Sequence, residues 1–300
     1  MAAQLDMPES WIEHQHKLQD LAERQLFFVG GAPRSGTTWL QYLLDSHPEI
    51  CCRGEGHFWK TLAEPLANMM KERRRVLDDK NKSVFRHSGG YPLPELEESK
   101  FLVGTAILLA FERQCAGATY RAIGEKTPDN VFYFGRLKRL FPNAKFLYIA
   151  RDPRDVLTSA WHFFIKQKAD GDEGAAKIEW LRQAIPQLQH GARAMLAFCE
   201  QHRADSMIVT YERMLAAPAD VAAQLFQFLA VAHDEAIVAE CVARTSFAAL
   251  SGGRSAGITQ EGSFFRKGVA GEWRSTLTPE MNEMVLRELG WMFPIFGWEQ

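Results

Sequence analysis

The chain has 300 residues, 46% of them hydrophobic and 24% charged, which is the balance of a globular protein with a sizeable core. A formal charge of −2 excludes a general binder of nucleic acid or of acidic membrane surfaces, so any anion site must be built from a few placed cations. Five cysteines, an odd number with no CxxC or Cys/His spacing, argue against a disulfide frame and against a zinc site.

The polar start "MAAQLDMPESWIEHQHKLQD" lacks the apolar stretch of a secretory signal, and nothing later approaches membrane-spanning length, so a cytoplasmic protein without stable membrane insertion is expected. Residues 1–25 are read as a helical extension and 26–300 as one domain. "LFFVG" is a buried strand running into the glycine-rich "GGAPRSGTTWL", and "TTWLQYLLD" continues as a helix through Leu40, Leu43 and Leu44.

Further apolar runs, "EICC", "YRAIG", "KFLYIA" and "SMIVTY", alternate with helical segments. The fold class expected is therefore α/β, a single parallel sheet of the P-loop type flanked by helices. "KERRR" at 71–75 reads as a solvated helix face. "RHSGGYPLPELEES" reads as a loop within an inserted lid of about residues 60–120, and "SGGRSAGITQEGSFFRKGVAGEW" as a long irregular loop near the C-terminus.

The glycine loop meets a helix N-terminus, where unpaired N–H groups and the positive end of the helix dipole favour an anion at Ser35, Gly36, Thr37 and Thr38, with Arg34 adding a full charge. A nucleoside-triphosphate loop would carry lysine at the position of Thr37. Without it, a P-loop nucleotide kinase is the second reading, and a non-catalytic nucleotide-binding protein stays open beside it. Ligands of open parallel sheets bind beyond the carboxyl ends of the strands. Arg34, Glu55, Glu125 with Lys126, Arg151 and Tyr211 follow five successive strands. In "YIARDPRDVLTSAW", Asp152 can cap a helix that begins at Pro153, with Arg151 at the strand tip and Ser159 on the second turn. Spacing alone leaves Arg151 divided between an anion and a salt bridge to Asp152 or Asp155.

"PRSGTTWL", "YIARDPRDVLTSAW" and "FFRKGVAGEWRSTLTPE", with "YERM" and "RTSF" between the last two, resemble in order the motifs of the sulfotransferases that use 3′-phosphoadenosine 5′-phosphosulfate. The resemblance runs from about residue 26 to about 283, and the last of these motifs is similar to that of the cytosolic branch. It implies that Arg34, Ser35, Gly36, Thr37 and Thr38 hold the 5′-phosphosulfate. It likewise implies that Arg151, Ser159, Arg266, Lys267 and Gly268 hold the 3′-phosphate, that Trp39 and Phe247 clamp the adenine, and that Tyr211 contacts the nucleotide. The C-terminal loop would cap that nucleotide, and no metal is implied, since Arg34 and Lys126 could carry the charge that a metal carries in a kinase. Many cytosolic relatives have lysine where Arg34 stands.

A second departure concerns the base. The cytosolic small-molecule branch places a histidine two positions after the lysine, and here "EKTPDN" puts Pro128 there. "HPEICCRGEGHFW" resembles instead the segment of tyrosylprotein and carbohydrate sulfotransferases whose glutamate deprotonates the acceptor. The match implies Glu55 as base, with His57 the competing candidate. His162 is read as a core or local hydrogen-bonding histidine. Aromatic residues near these segments suggest an acceptor hydroxyl, or less readily an amine, on a molecule with an apolar or ring face. The acceptor's identity and any homo-oligomer are left open.

Overall fold

The computed structural model describes residues 11–166, 172–260 and 262–299. Residues 1–10 of the expected N-terminal extension lie outside the described residues. Helix α1 (Trp11–Glu23) leads into β1 (Gln25–Gly31), α2 (Thr37–Asp45) and β2 (Ile50–Gly54). A π-helical turn at Phe58–Ala63 opens into α3 (Glu64–Ser83), which is followed by α4 (Leu96–Cys115), β3 (Ala122–Lys126) and α5 (Phe134–Leu140). Then come β4 (Lys145–Ala150), α6 (Pro153–Ala160), α7 (Glu173–Gln201), β5 (Ser206–Thr210) and α8 (Tyr211–Ala216). Helices α9 (Pro218–Phe228), α10 (Glu235–Arg244), α11 (Phe247–Leu250) and α12 (Pro279–Leu289) complete the frame.

The five strands form one sheet in the order β2-β3-β1-β4-β5, every neighbouring pair parallel. Helices cover both faces, which is why β1 is almost continuously apolar instead of alternating. Its residues divide with a period of two: Phe27 and Val29 pack with α2, α9 and α10, whereas Leu26 and Phe28 pack with α4 and α5. Phe27 lies in register with Gly124 on β3, where a Cβ would stand 2.3 Å from the Phe27 ring. Glycine is required at 124 because the phenylalanine ring occupies that side of the strand. Burying such a ring contributes roughly 1.5–3 kcal/mol.

Strand β1 sits at the centre, and the chain leaves it toward β2 on one side before crossing after β3 to β4 on the other. The loops after β1 and β4 therefore part at the carboxyl edge of the sheet and open a crevice between them. At α6, Asp152 caps through a bond from Arg154 N at 2.9 Å, and Pro153 takes the first helical position.

One expectation needs correction. In "RHSGGYPLPELEES" only the part up to Glu95 is irregular, and Leu96 already begins α4. Glu95 and Glu98 form a capping box, with Glu95 N donating to Glu98 Oε2 at 3.1 Å, so the acidic run starts a helix. The "KERRR" run lies on the exposed surface of α3, with Arg75 paired to Glu72 and Asp79. Among the described residues, no helix is long and apolar enough to cross a membrane.

Candidate active site

At the carboxyl edge of β1 and β4 lies a cavity of about 290 Å³. Every residue expected to hold the nucleotide lines it except Ser35, which is buried beneath with its hydroxyl donating to Ala32 O at 2.7 Å. Gly36, at φ 101°, brings the loop against Tyr211, whose Cδ2 a Cβ would meet at 2.7 Å. Trp39 stands edge-on to Tyr211 at 5.5 Å and donates its indole N–H to Thr245 O at 2.9 Å. Phe247, also on the cavity wall, closes on Gly268, which at φ 68° leaves no room for a side chain.

Arg34, Arg151 and Arg266 converge on this cavity. Arg34 donates through Nε to Ser159 Oγ at 3.3 Å and through its terminal nitrogen to Phe264 O at 2.9 Å, with its guanidinium 4.2 Å from the Phe163 ring centre and 4.8 Å from that of Phe264. Burial, together with the nearby charges of Arg151 and Arg266, pulls the Arg34 guanidinium down to about 10. Arg151 donates to Arg34 O and Val269 O, lies over the Tyr211 ring at 4.1 Å, and reaches Asp155 only at 3.8 Å. Asp152 is engaged with Arg154 instead. The Nε atoms of Arg151 and Arg266 are buried and have no hydrogen-bond partner among the described residues. Two orphaned cationic donors beside a cavity are what an anionic ligand would satisfy, so the residues present fit a nucleotide carrying separate anionic groups.

Several residues of this region escaped the sequence reading. Glu272, also at the cavity wall, chelates Arg266 through both oxygens and stands 3.5 Å from Lys267. Burial would raise its carboxyl, but the Arg266 hydrogen bonds and the charges of Arg266 and Lys267 outweigh that and hold it below the usual range. Arg254 gathers the C-terminal loop by donating to the carbonyls of Ile258, Phe265 and Arg266. Asp155 ties that loop to α6 by accepting from Gly271 N at 2.6 Å and Trp273 N at 3.1 Å. Glu272 was visible within "FFRKGVAGEWRSTLTPE"; Arg254 had no signal of its own.

The second group sits beside the cavity. Lys126, only 3% exposed, donates to Glu55 Oε1 at 2.5 Å and to Thr38 Oγ1 at 3.3 Å. Thr38 lines the cavity, so it links that space to the Lys126–Glu55 pair. His57 Nε2 stands 3.5 Å from the other Glu55 oxygen. Lys126, Glu55 and His57 are thus brought together, whereas Arg34 turns away toward Ser159 and forms no ion pair with Glu55 among the described residues. His162, in a π-helical turn after α6, is half-buried; burial, then the charges of Arg266 and Lys166, lower its pKa.

Residues 27–235 match a family model described as "Sulfotransferase family". The protein-tyrosine sulfotransferase of Drosophila melanogaster is 26% identical over 219 residues, covering 72% of this chain and 40% of that protein. Protein-tyrosine sulfotransferase 2 of Gallus gallus is 27% identical over 222 residues, covering 72% of this chain and 54% of its own. The chain therefore spans about half the length of these curated relatives. A mouse sulfotransferase solved in complex with PAP shares the fold, with a TM-score of 0.53 at 16% identity over 91% of this chain and 89% of that one.

Proposed function

The chain belongs to the sulfotransferase family, and we propose that it transfers a sulfuryl group from 3′-phosphoadenosine 5′-phosphosulfate to an acceptor hydroxyl, with Glu55 as general base. The observation that carries the proposal is the bridge made by Lys126, whose ammonium joins Thr38 of the nucleotide cavity to the Glu55 carboxylate. A group placed between donor site and base can act on charge that moves from one to the other.

In this reading the loop amides of residues 35–38, with Thr37 and Thr38, hold the 5′ end, and Arg151, Ser159, Arg266, Lys267 and Gly268 hold the 3′-phosphate. Trp39 and Phe247 clamp the adenine, with Tyr211 beside the nucleotide. Arg34 serves as a fixed charge spanning the two ends, since its contact to Ser159 draws it toward the 3′-phosphate group. As the acceptor oxygen bonds to sulfur, its proton passes to Glu55. The bond between sulfur and the 5′-phosphate oxygen breaks, and Lys126 stabilises the charge left on that oxygen as adenosine 3′,5′-bisphosphate departs. The charge on the leaving phosphate is met by side chains and amides, which is why no divalent metal is assigned to the step.

Helices α3 and α4 would cover the acceptor side, and the C-terminal loop would cap the nucleotide. An acceptor with an aromatic or apolar face, such as a phenol, is in keeping with the exposed Met69, Phe101 and Leu102 on α3 and α4. The similar Drosophila and chicken proteins are named for tyrosine, which points the same way.

Single-turnover transfer from radiolabelled donor to a panel of phenols, tyrosine peptides, sterol alcohols and glycolipids tests the activity directly. On the best acceptor, Glu55→Gln is expected to lower the rate about 10²- to 10⁴-fold, because glutamine keeps the shape and loses the basicity. A normal rate in that variant together with a dead His57→Ala would move the base to histidine.

A further inference from the structure

Glu125 takes no part in the scheme above, yet it is an acid at the heart of this edge, 1% exposed at the end of β3. Its Oε1 accepts from Gly56 N at 2.8 Å and from the Thr127 hydroxyl, and its Oε2 accepts from Asn130 Nδ2 at 2.8 Å. Thr127 Oγ1 in turn accepts from His57 N at 3.1 Å. Burial pushes the Glu125 carboxyl up, while the bonds from Thr127, Asn130 and Gly56 and the charge of Lys126 oppose that rise. Its hydrogen-bond partners are all donors, an arrangement matched by the ionised carboxylate.

The placement of these bonds carries the inference. Strand β2 ends at Gly54, in register with Lys126, so the ladder to β3 stops immediately before Glu55. The two peptide N–H groups just after Glu55, of Gly56 and His57, are held by Glu125 and Thr127 in place of a strand partner. Gly56 could not be replaced without conflict, since a Cβ there would meet the Phe58 ring at 2.7 Å, and His57 adopts φ 46°. The turn that presents Glu55 to Lys126 is therefore fixed from β3 by side chains. We infer that Glu125, with Thr127 as its relay, is a positioning residue that sets the Glu55 carboxylate against Lys126 and the acceptor. The inference rests on the reading of Glu55 as base.

The test combines single-turnover transfer to the best panel acceptor with calorimetry of adenosine 3′,5′-bisphosphate. Glu125→Gln would turn an amide N–H₂ toward either Gly56 N or Asn130 Nδ2, each of which donates to the carboxylate. Glu125→Gln is expected to lower the rate about 10- to 100-fold, the order of loss for a misplaced catalytic group, with bisphosphate Kd unchanged within about twofold. Thr127→Val should fall in the same direction, and Thr127→Ser should recover most of that loss. In a Glu55→Gln background the Glu125 change should add less than about threefold, because the group it positions is already gone. Full multiplication of the two losses, or a bisphosphate affinity that falls in step with the rate, would overturn the inference. Should Glu125→Gln fail to fold, Thr127→Val at the wild-type rate overturns it alone. A slow Glu55→Gln beside a fast Glu125→Gln sinks only the positioning role, whereas a fast Glu55→Gln removes the base and the positioning role with it.

Discussion

The two halves of the site are built on opposite principles. The nucleotide half gathers Arg34, Arg151, Arg266 and Lys267 around one cavity and offsets them with Glu272 and the more distant Asp155. The acceptor half has Lys126 held directly by Glu55, with no comparable surplus of cation, and the helices beside it carry exposed Met69, Phe101 and Leu102. Excess positive charge suits binding of a polyanion before reaction, whereas a matched Lys–Glu pair suits charge that appears only as the reaction proceeds. Under the proposed function, the contrast gives affinity to one half and rate to the other.

That division can be broken most sharply at Lys126. Lys126→Ala is expected to slow single-turnover transfer about 10²- to 10³-fold, with bisphosphate affinity changed only a few-fold by calorimetry. Equal losses in rate and affinity would merge the two halves. Arg266→Ala should do the reverse, weakening bisphosphate binding about 10- to 100-fold, as expected for charge-assisted bonds to phosphate, and leaving 5′-AMP binding nearly unchanged. A variant that loses both nucleotides alike would show that the 3′-phosphate is not held there.

A smaller effect sharpens the role of Glu272. Its folded pKa is depressed, so its contribution to stability is present above the unfolded value of roughly 4.3 and is lost as pH falls through the folded one. Thermal melts of Glu272→Gln should lie about 2–4 °C below the parent at pH 7, with the gap closing below about pH 4. A gap that widens on acidification would contradict the pairing with Arg266 and Lys267. The smallest expected effect is none: EDTA should leave turnover unchanged, because the leaving charge is assigned to Lys126, Arg34 and loop amides. Strict dependence on Mg²⁺ would revive a kinase reading.

Much of this organisation is legible in residue order, and the reason is locality. A strand, a glycine turn and a helix N-terminus are contiguous, so "LFFVGGAPRSGTTWL" shows the strand–turn–helix order that carries the proposed anion site without reference to the rest of the chain. The Asp152–Pro153 helix start is equally local. The capping box at Glu95 and Glu98 was also within reach, but the Gly and Pro before it drew the loop assignment too far.

The sequence by itself determined the α/β class, the strand tips that carry polar groups, and the motifs by which the chain resembles its family. Tertiary structure decided which of those groups meet. Long side chains choose partners across strand ends whose adjacency depends on sheet order: Arg34 reaches Ser159, 125 positions away, and Lys126 reaches Thr38, 88 positions away. Spacing in the chain does not encode which way a guanidinium turns, so Arg34 could not be separated from Lys126 and Glu55 before the fold was known. Nor does it show that Glu125 and Thr127 hold the turn beyond β2, because those bonds exist only once β2 and β3 lie parallel and in register.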